Sequence, residues 1–104
     1  MKIDISELIQ CEIASVKNIL KLNRDVIYIT DKERWKEITK RRKPTYVDTS
    51  TGESIALSAY IFIHLNKIDD LKELKTVIFH ELSHLKFPKA SESRILKYEK
   101  RYLN

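Results

Sequence analysis

A chain of 104 residues, 42% hydrophobic and 34% charged, has room for one modest core and not for two, so residues 1–104 are read as a single domain. No apolar run approaches the roughly 20 residues a membrane helix needs, and Met1-Lys2-Ile3-Asp4 lacks the apolar core of a secretory leader, which argues against a membrane protein and points to the cytoplasm. The single cysteine, Cys11, excludes an internal disulfide and a thiolate zinc knuckle, and the net charge of +5 is scattered through every segment except the run Lys40-Arg41-Arg42-Lys43.

With one glycine, many isoleucines and lysines, and short connections, the composition resembles that of proteins from hot environments. Ser6 opens a helix as its cap, and Ile9, Ile13, Val16 and Leu20 recur at helical spacing, which predicts a helix to about Leu22. Cys11 falls near the apolar side of that helix and reads as a small apolar residue. After the break at Asn23-Arg24-Asp25, the β-branched and aromatic run 26–30 predicts a strand, and residues 31–41 a second helix with Trp35 and Ile38 as its apolar contacts.

Residues 44–48 and 55–65 are strand candidates on either side of Thr49-Ser50-Thr51-Gly52-Glu53, where Gly52 fits a hairpin turn that needs a positive backbone angle. Within the longer run, alternation places Ile55, Leu57, Ala59, Ile61, Ile63 and Leu65 on one face and Ser58, Tyr60, Phe62 and His64 on the other. The expected architecture is α+β: a small antiparallel or mixed sheet of three strands packed on helices. Its exposed edge offers a cleft where an extended peptide adds as a further strand.

Residues 69–86 predict the helix that carries the chemistry. Asp69 and Asp70 suit its N-terminus, Leu71, Leu74, Val77, Ile78, Leu82 and Leu85 give it an apolar face, and Phe87-Pro88 stops it. Inside it stands His80-Glu81-Leu82-Ser83-His84. At about 100° and about 1.5 Å per residue, His80 and His84 lie one turn apart on one face and can grip one metal ion. Glu81 then flanks the open coordination position, an arrangement that suits zinc with a bound water and a carboxylate to take its proton.

Residues 90–103 predict a last helix with the apolar stripe Ile95, Leu96, Tyr98, Tyr102 and Leu103, which folds back on the motif helix through the turn at 87–89. Glu92 shares the inward side with Ile95 and Leu96, which makes it the favoured third metal ligand. Glu99, two turns further on, is its competitor, and His64 a third candidate.

Short helix, small sheet, His-Glu-x-x-His helix, tight turn and glutamate-bearing helix together resemble a zincin metallopeptidase, and the length and the acid in the following helix are most similar to the minigluzincins, the very small peptidases of the glutamate-zincin clan. The resemblance is carried by residues 55–103. It implies Zn2+ held by His80, His84 and Glu92, with Glu81 as general base and then acid in the hydrolysis of a peptide or unfolded protein substrate. A later acid that orients a ligand often stands four residues after the glutamate in that clan; here the position is Leu96, and Lys86 follows the motif where a hydrophobic residue is usual. Tyr46, Tyr98, Tyr102 and His64 are available as the donor to the oxyanion.

Two other readings compete with an active peptidase. One is a latent zincin, a zymogen-like form whose cleft is filled by its own tail at residues 102–104. The other is a nucleic-acid-binding or regulatory module that uses Trp35 and the basic run around residues 34–43. Substrate preference and oligomeric state are not encoded in any motif.

Overall fold

A computed structural model of the chain describes residues 4–41, 46–48, 52–55 and 59–103, with the backbone alone for residues 46–48. Among these residues the elements run α1 (Ile5–Leu20), β1 (Ile27–Ile29), α2 (Lys32–Arg41), β2 (Tyr46–Asp48), β3 (Gly52–Ile55), β4 (Tyr60–Ile63), a 3₁₀ turn (Leu65–Lys67), α3 (Leu71–Lys86) and α4 (Glu92–Leu103). The fold is α+β with a small mixed sheet ordered β1-β4-β3-β2, in which β1 is parallel to β4 and the other neighbours are antiparallel.

The helices begin and end where short-range chemistry dictates. In α1 the cap is Asp4 rather than the expected Ser6, because the Asp4 carboxylate accepts from the Ser6 N–H at 2.9 Å. Ile9, Ile13, Val16 and Leu20 form its buried stripe, each contributing roughly 1.5–3 kcal/mol of burial. The helix closes through Lys21 in the left-handed region, φ 55°, with the Leu22 N–H reaching back to the Lys17 carbonyl at 2.9 Å. Lys86, at the end of α3, donates its ammonium to the Lys21 carbonyl at 3.1 Å and so ties the two helix ends together. At the start of α3, Asp70 accepts from the Glu73 N–H while Glu73 accepts from the Asp69 N–H, a reciprocal cap that fixes the register of the whole helix.

The run at 55–65 is not one strand. Ile55 ends β3 and Tyr60 starts β4, with Ala59 at φ 56° between them, so the three expected strands become four. A turn restarts the alternation, and each strand then keeps its own phase. Ile55 therefore opposes Tyr60 and joins Ile29, Trp35 and Phe62 on the α2 side, whereas Ala59, Ile61 and Ile63 face α1 and α3 as expected. Leu57 and Ser58 lie outside the described residues.

Gly52 likewise departs from its expected role. It sits in β3 opposite Ile63, and its φ is not positive, so it is not the left-handed residue of a turn. Thr49, Ser50 and Thr51 of the expected turn, like Pro44 and Thr45 of the strand before it, lie outside the described residues. Covered on both faces, β4 buries Ile61, Phe62 and Ile63, which explains why its sequence is a continuous apolar run.

Against the α1 and β3–β4 faces packs α3, and α4 covers its remaining side. Leu74, Val77, Ile78, Phe79, Leu82 and Leu85 of α3 consequently lie in the main core with the α1 stripe. Among the described residues, no helix is long and apolar enough to cross a membrane.

Candidate metal centre

From Val77 to Leu85, α3 is buried nearly all round, so the polar residues of that stretch do not stand on a solvated face. Glu81 is fully buried, His84 almost so, and the His80 side chain is 13% exposed. Both imidazoles turn the same way, as an i, i+4 pair on one helix must, with their Nε2 atoms 3.2 Å apart. Glu92, in the first turn of α4, reaches across: Oε1 is 2.7 Å from His84 Nε2 and Oε2 is 3.1 Å from His80 Nε2. The three residues proposed from the sequence as ligands thus form one group, their donor atoms within 4.8 Å of one another.

That group fits a metal ion by the chemistry of its donors. Two imidazole nitrogens and a carboxylate are the set that zinc prefers, and donors bound tetrahedrally at about 2.0–2.1 Å stand about 3.3 Å apart, close to the separations here. Glu92 is about half exposed, which leaves the group open to solvent on the α4 side.

Glu99 takes a different part from the ligand role in which it competed with Glu92. Its Oε1 lies 2.5 Å from His80 Nδ1, on the opposite edge of the ring from the donor nitrogen. A carboxylate there holds the tautomer with hydrogen on Nδ1 and leaves the Nε2 lone pair free to ligate. Glu92 and Glu99 are seven residues apart, two turns of α4, so both face α3. Leu96, expected on the inward side, is exposed instead, and Glu99, one turn later, is the acid that reaches His80. The seven-residue spacing in the sequence was the signal for it.

The protonation of the two histidines diverges. Burial disfavours a charged ring at His80, but the Glu99 hydrogen bond and the charges of Glu81, Glu99 and Glu92 outweigh it and raise the pKa above 6.5. At His84 burial prevails, helped by the neighbouring His80 and opposed by Glu92, and the pKa falls below 6.5.

Among the described residues, the other candidates are not part of the three-residue donor group. His64 follows β4 and packs edge-on against Phe62, 4.4 Å between ring centroids, on the sheet face that carries Trp35. Tyr98 stacks on Phe87 at 5.1 Å and Tyr102 tilts on Phe79 at 6.2 Å. The Tyr46 side chain lies outside the described residues. Tyr102 and Leu103 line a surface depression with Ile19, Lys72, Lys75 and Thr76. Ten residues of helix, about 15 Å, separate Tyr102 from Glu92. The end of α4 accordingly runs away from the donor group instead of folding over it; Asn104 lies outside the described residues.

Trp35 is 3% exposed and stacked on Phe62 at 5.5 Å, so its ring offers no platform for a base. Lys40 and Arg41 end α2 on the surface, with Lys40 paired to Glu37 at 3.5 Å, while Arg42 and Lys43 lie outside the described residues. No family model matches the chain, and neither a curated protein nor a solved structure matches it.

Proposed function

We propose that the chain is a zinc-dependent endopeptidase of the gluzincin type. The observation that carries this reading is the convergence of His80 Nε2, His84 Nε2 and a Glu92 carboxylate oxygen from two helices, with Glu99 behind His80 and Glu81 alongside. A zinc ion held there would polarise a peptide carbonyl and make a coordinated water acidic near neutral pH.

Each residue then has a separate task. His80, His84 and Glu92 bind; Glu99 orients His80. Glu81, whose charge acts on His80, is the carboxylate of the motif left over from binding. It holds on one carboxylate oxygen the proton that water gives up in attacking the peptide carbonyl. It then delivers that proton to the amine nitrogen as the C–N bond breaks. Burial of Glu81 keeps bulk water from competing for the proton. The substrate is a short or locally unfolded peptide, because a domain of this size has little surface beyond the donor group to hold a folded one.

Metal analysis and peptide cleavage on the same samples test the reading. Wild type should carry about one zinc per chain, Glu92→Ala should lose it, and Glu81→Gln should keep it while cleavage drops by about 10²–10⁴-fold. Wild type that takes up no zinc after reconstitution would overturn the proposal.

A further inference from the structure

The only glycine of the chain is the first residue of β3, where any other residue would have less backbone freedom to lose on folding. Its φ is not positive, so no backbone requirement explains it. What surrounds it does. Gly52 opposes Ile63 across the β3–β4 pair, so both share the sheet face that packs on α3. A Cβ on Gly52 would stand 2.8 Å from Glu81 Oε2, 3.1 Å from Glu81 Cγ and 2.9 Å from the Phe62 carbonyl oxygen. The first and last of these are closer than real Cβ contacts come.

We infer that Gly52 is the seat of Glu81: the missing side chain is the space that the carboxylate occupies, and any larger residue displaces it. The role assigned to Glu81 here rests on the peptidase reading, and Gly52 is a positioning residue rather than a catalytic one. Glu81 is fully buried, so it has no solvent side to retreat to. A carboxylate pressed away from β3 must turn about its own side-chain bonds or push its helix or the strand. In the first case the base moves relative to His80 and His84, and a misplacement of about 1 Å costs a catalytic group on the order of 10²-fold in rate. Isolated glycine in a strand is a known mark of close approach by another group, and here that group is the general base.

A thermal cycle on the zinc-free chain tests the contact directly. Gly52→Ala should lower the Tm by about 5 °C or more in the wild-type background and by less than half as much beside Glu81→Ala. Equal losses in both backgrounds would assign the cost to the Phe62 carbonyl and overturn the inference. Should Gly52→Ala alone fail to fold, recovery of the fold in Gly52→Ala/Glu81→Ala supports the seat, and failure of that double variant overturns it. In the zinc-loaded chain, Gly52→Ala should lower kcat about 100-fold with KM and zinc content held; an unchanged kcat also overturns it. Wild type that binds zinc yet cleaves no peptide sinks the peptidase reading alone, since the thermal cycle still decides whether Gly52 seats Glu81.

Discussion

The two helices that meet at the donor group are held in the fold to very different degrees. Along α3, Leu74, Val77, Ile78, Phe79, Leu82 and Leu85 are buried against α1, the sheet and α4, whereas α4 fully buries only Ile95 among its described residues. The other ties of α4 include Tyr98 and Leu103 at the margin of the main core, the Phe87–Tyr98 stack, the Phe79–Tyr102 contact and the two carboxylates that reach His80 and His84. The histidines are thus placed by the core. Glu92 is placed by a lightly packed helix for which the donor group is itself part of the attachment. A centre built this way has a stiff half and an adjustable half, and an ion bound between them adds stability to the second.

The sharpest way to break that contrast is to empty the core on the stiff side. Phe79→Ala, at a fully buried position of α3, should cost about 3–5 kcal/mol in urea unfolding of the zinc-free chain. Ile95→Ala should fall near the lower end of about 2–5 kcal/mol, because α4 can settle into the space left behind. Equal costs would show that α4 belongs to the core after all.

Next in size is Glu99→Gln, which keeps the shape of the side chain but removes the charge beside His80 Nδ1. Zinc affinity measured against a chelator should drop about 10–100-fold. An unchanged affinity would mean that packing alone orients His80.

Proton competition comes next. Both rings must be neutral to ligate, and His80 has its pKa raised above 6.5, so zinc affinity should climb as the pH rises through and beyond neutrality, by at most about tenfold per unit for that group. In the zinc-free chain the two histidines act with opposite sign. The raised pKa of His80 contributes stability that is complete below 6.5 and is lost as the pH rises through its folded value. The lowered pKa of His84 leaves stability intact above 6.5 and removes it as the pH falls through its folded value. Their combined contribution therefore peaks near 6.5, and a denaturation series across pH that declines steadily in one direction would contradict the assignment.

Smallest of all should be Leu96→Ala. Leu96 lies on α4 at 48% exposure, and its loss should change stability by less than about 0.5 kcal/mol. A larger loss would place the outer face of α4 in an interface.

Much of the site could be read from the sequence. Helical spacing over residues 69–86, with acids before it and Phe87-Pro88 after it, fixes His80 and His84 on one face, since two residues four apart on one helix have no other choice. A spacing of seven residues likewise puts Glu92 and Glu99 on one side of α4. Which acid meets which ring nitrogen depends on the stagger of α4 along α3. The stagger is set by the packing of Tyr102 on Phe79 and of Tyr98 on Phe87, together with the burial of Ile95.

The sheet was less legible. Alternation survives within a strand but not across a turn, and so the side on which Ile55 falls was decided by the β3–β4 pairing. Gly52 marks the limit most clearly. A lone glycine reads equally well as a turn residue or as room for a neighbour, and the neighbour, Glu81, lies 29 residues further along the chain. Sequence by itself determined the residues that can carry the chemistry and the helix faces on which they stand, because both follow from local backbone geometry. Only the tertiary structure decided that Glu92 joins the donors, that Glu99 stands behind His80 and that Gly52 makes room for Glu81, because each of these is a contact between elements whose relative placement is a property of the packed core.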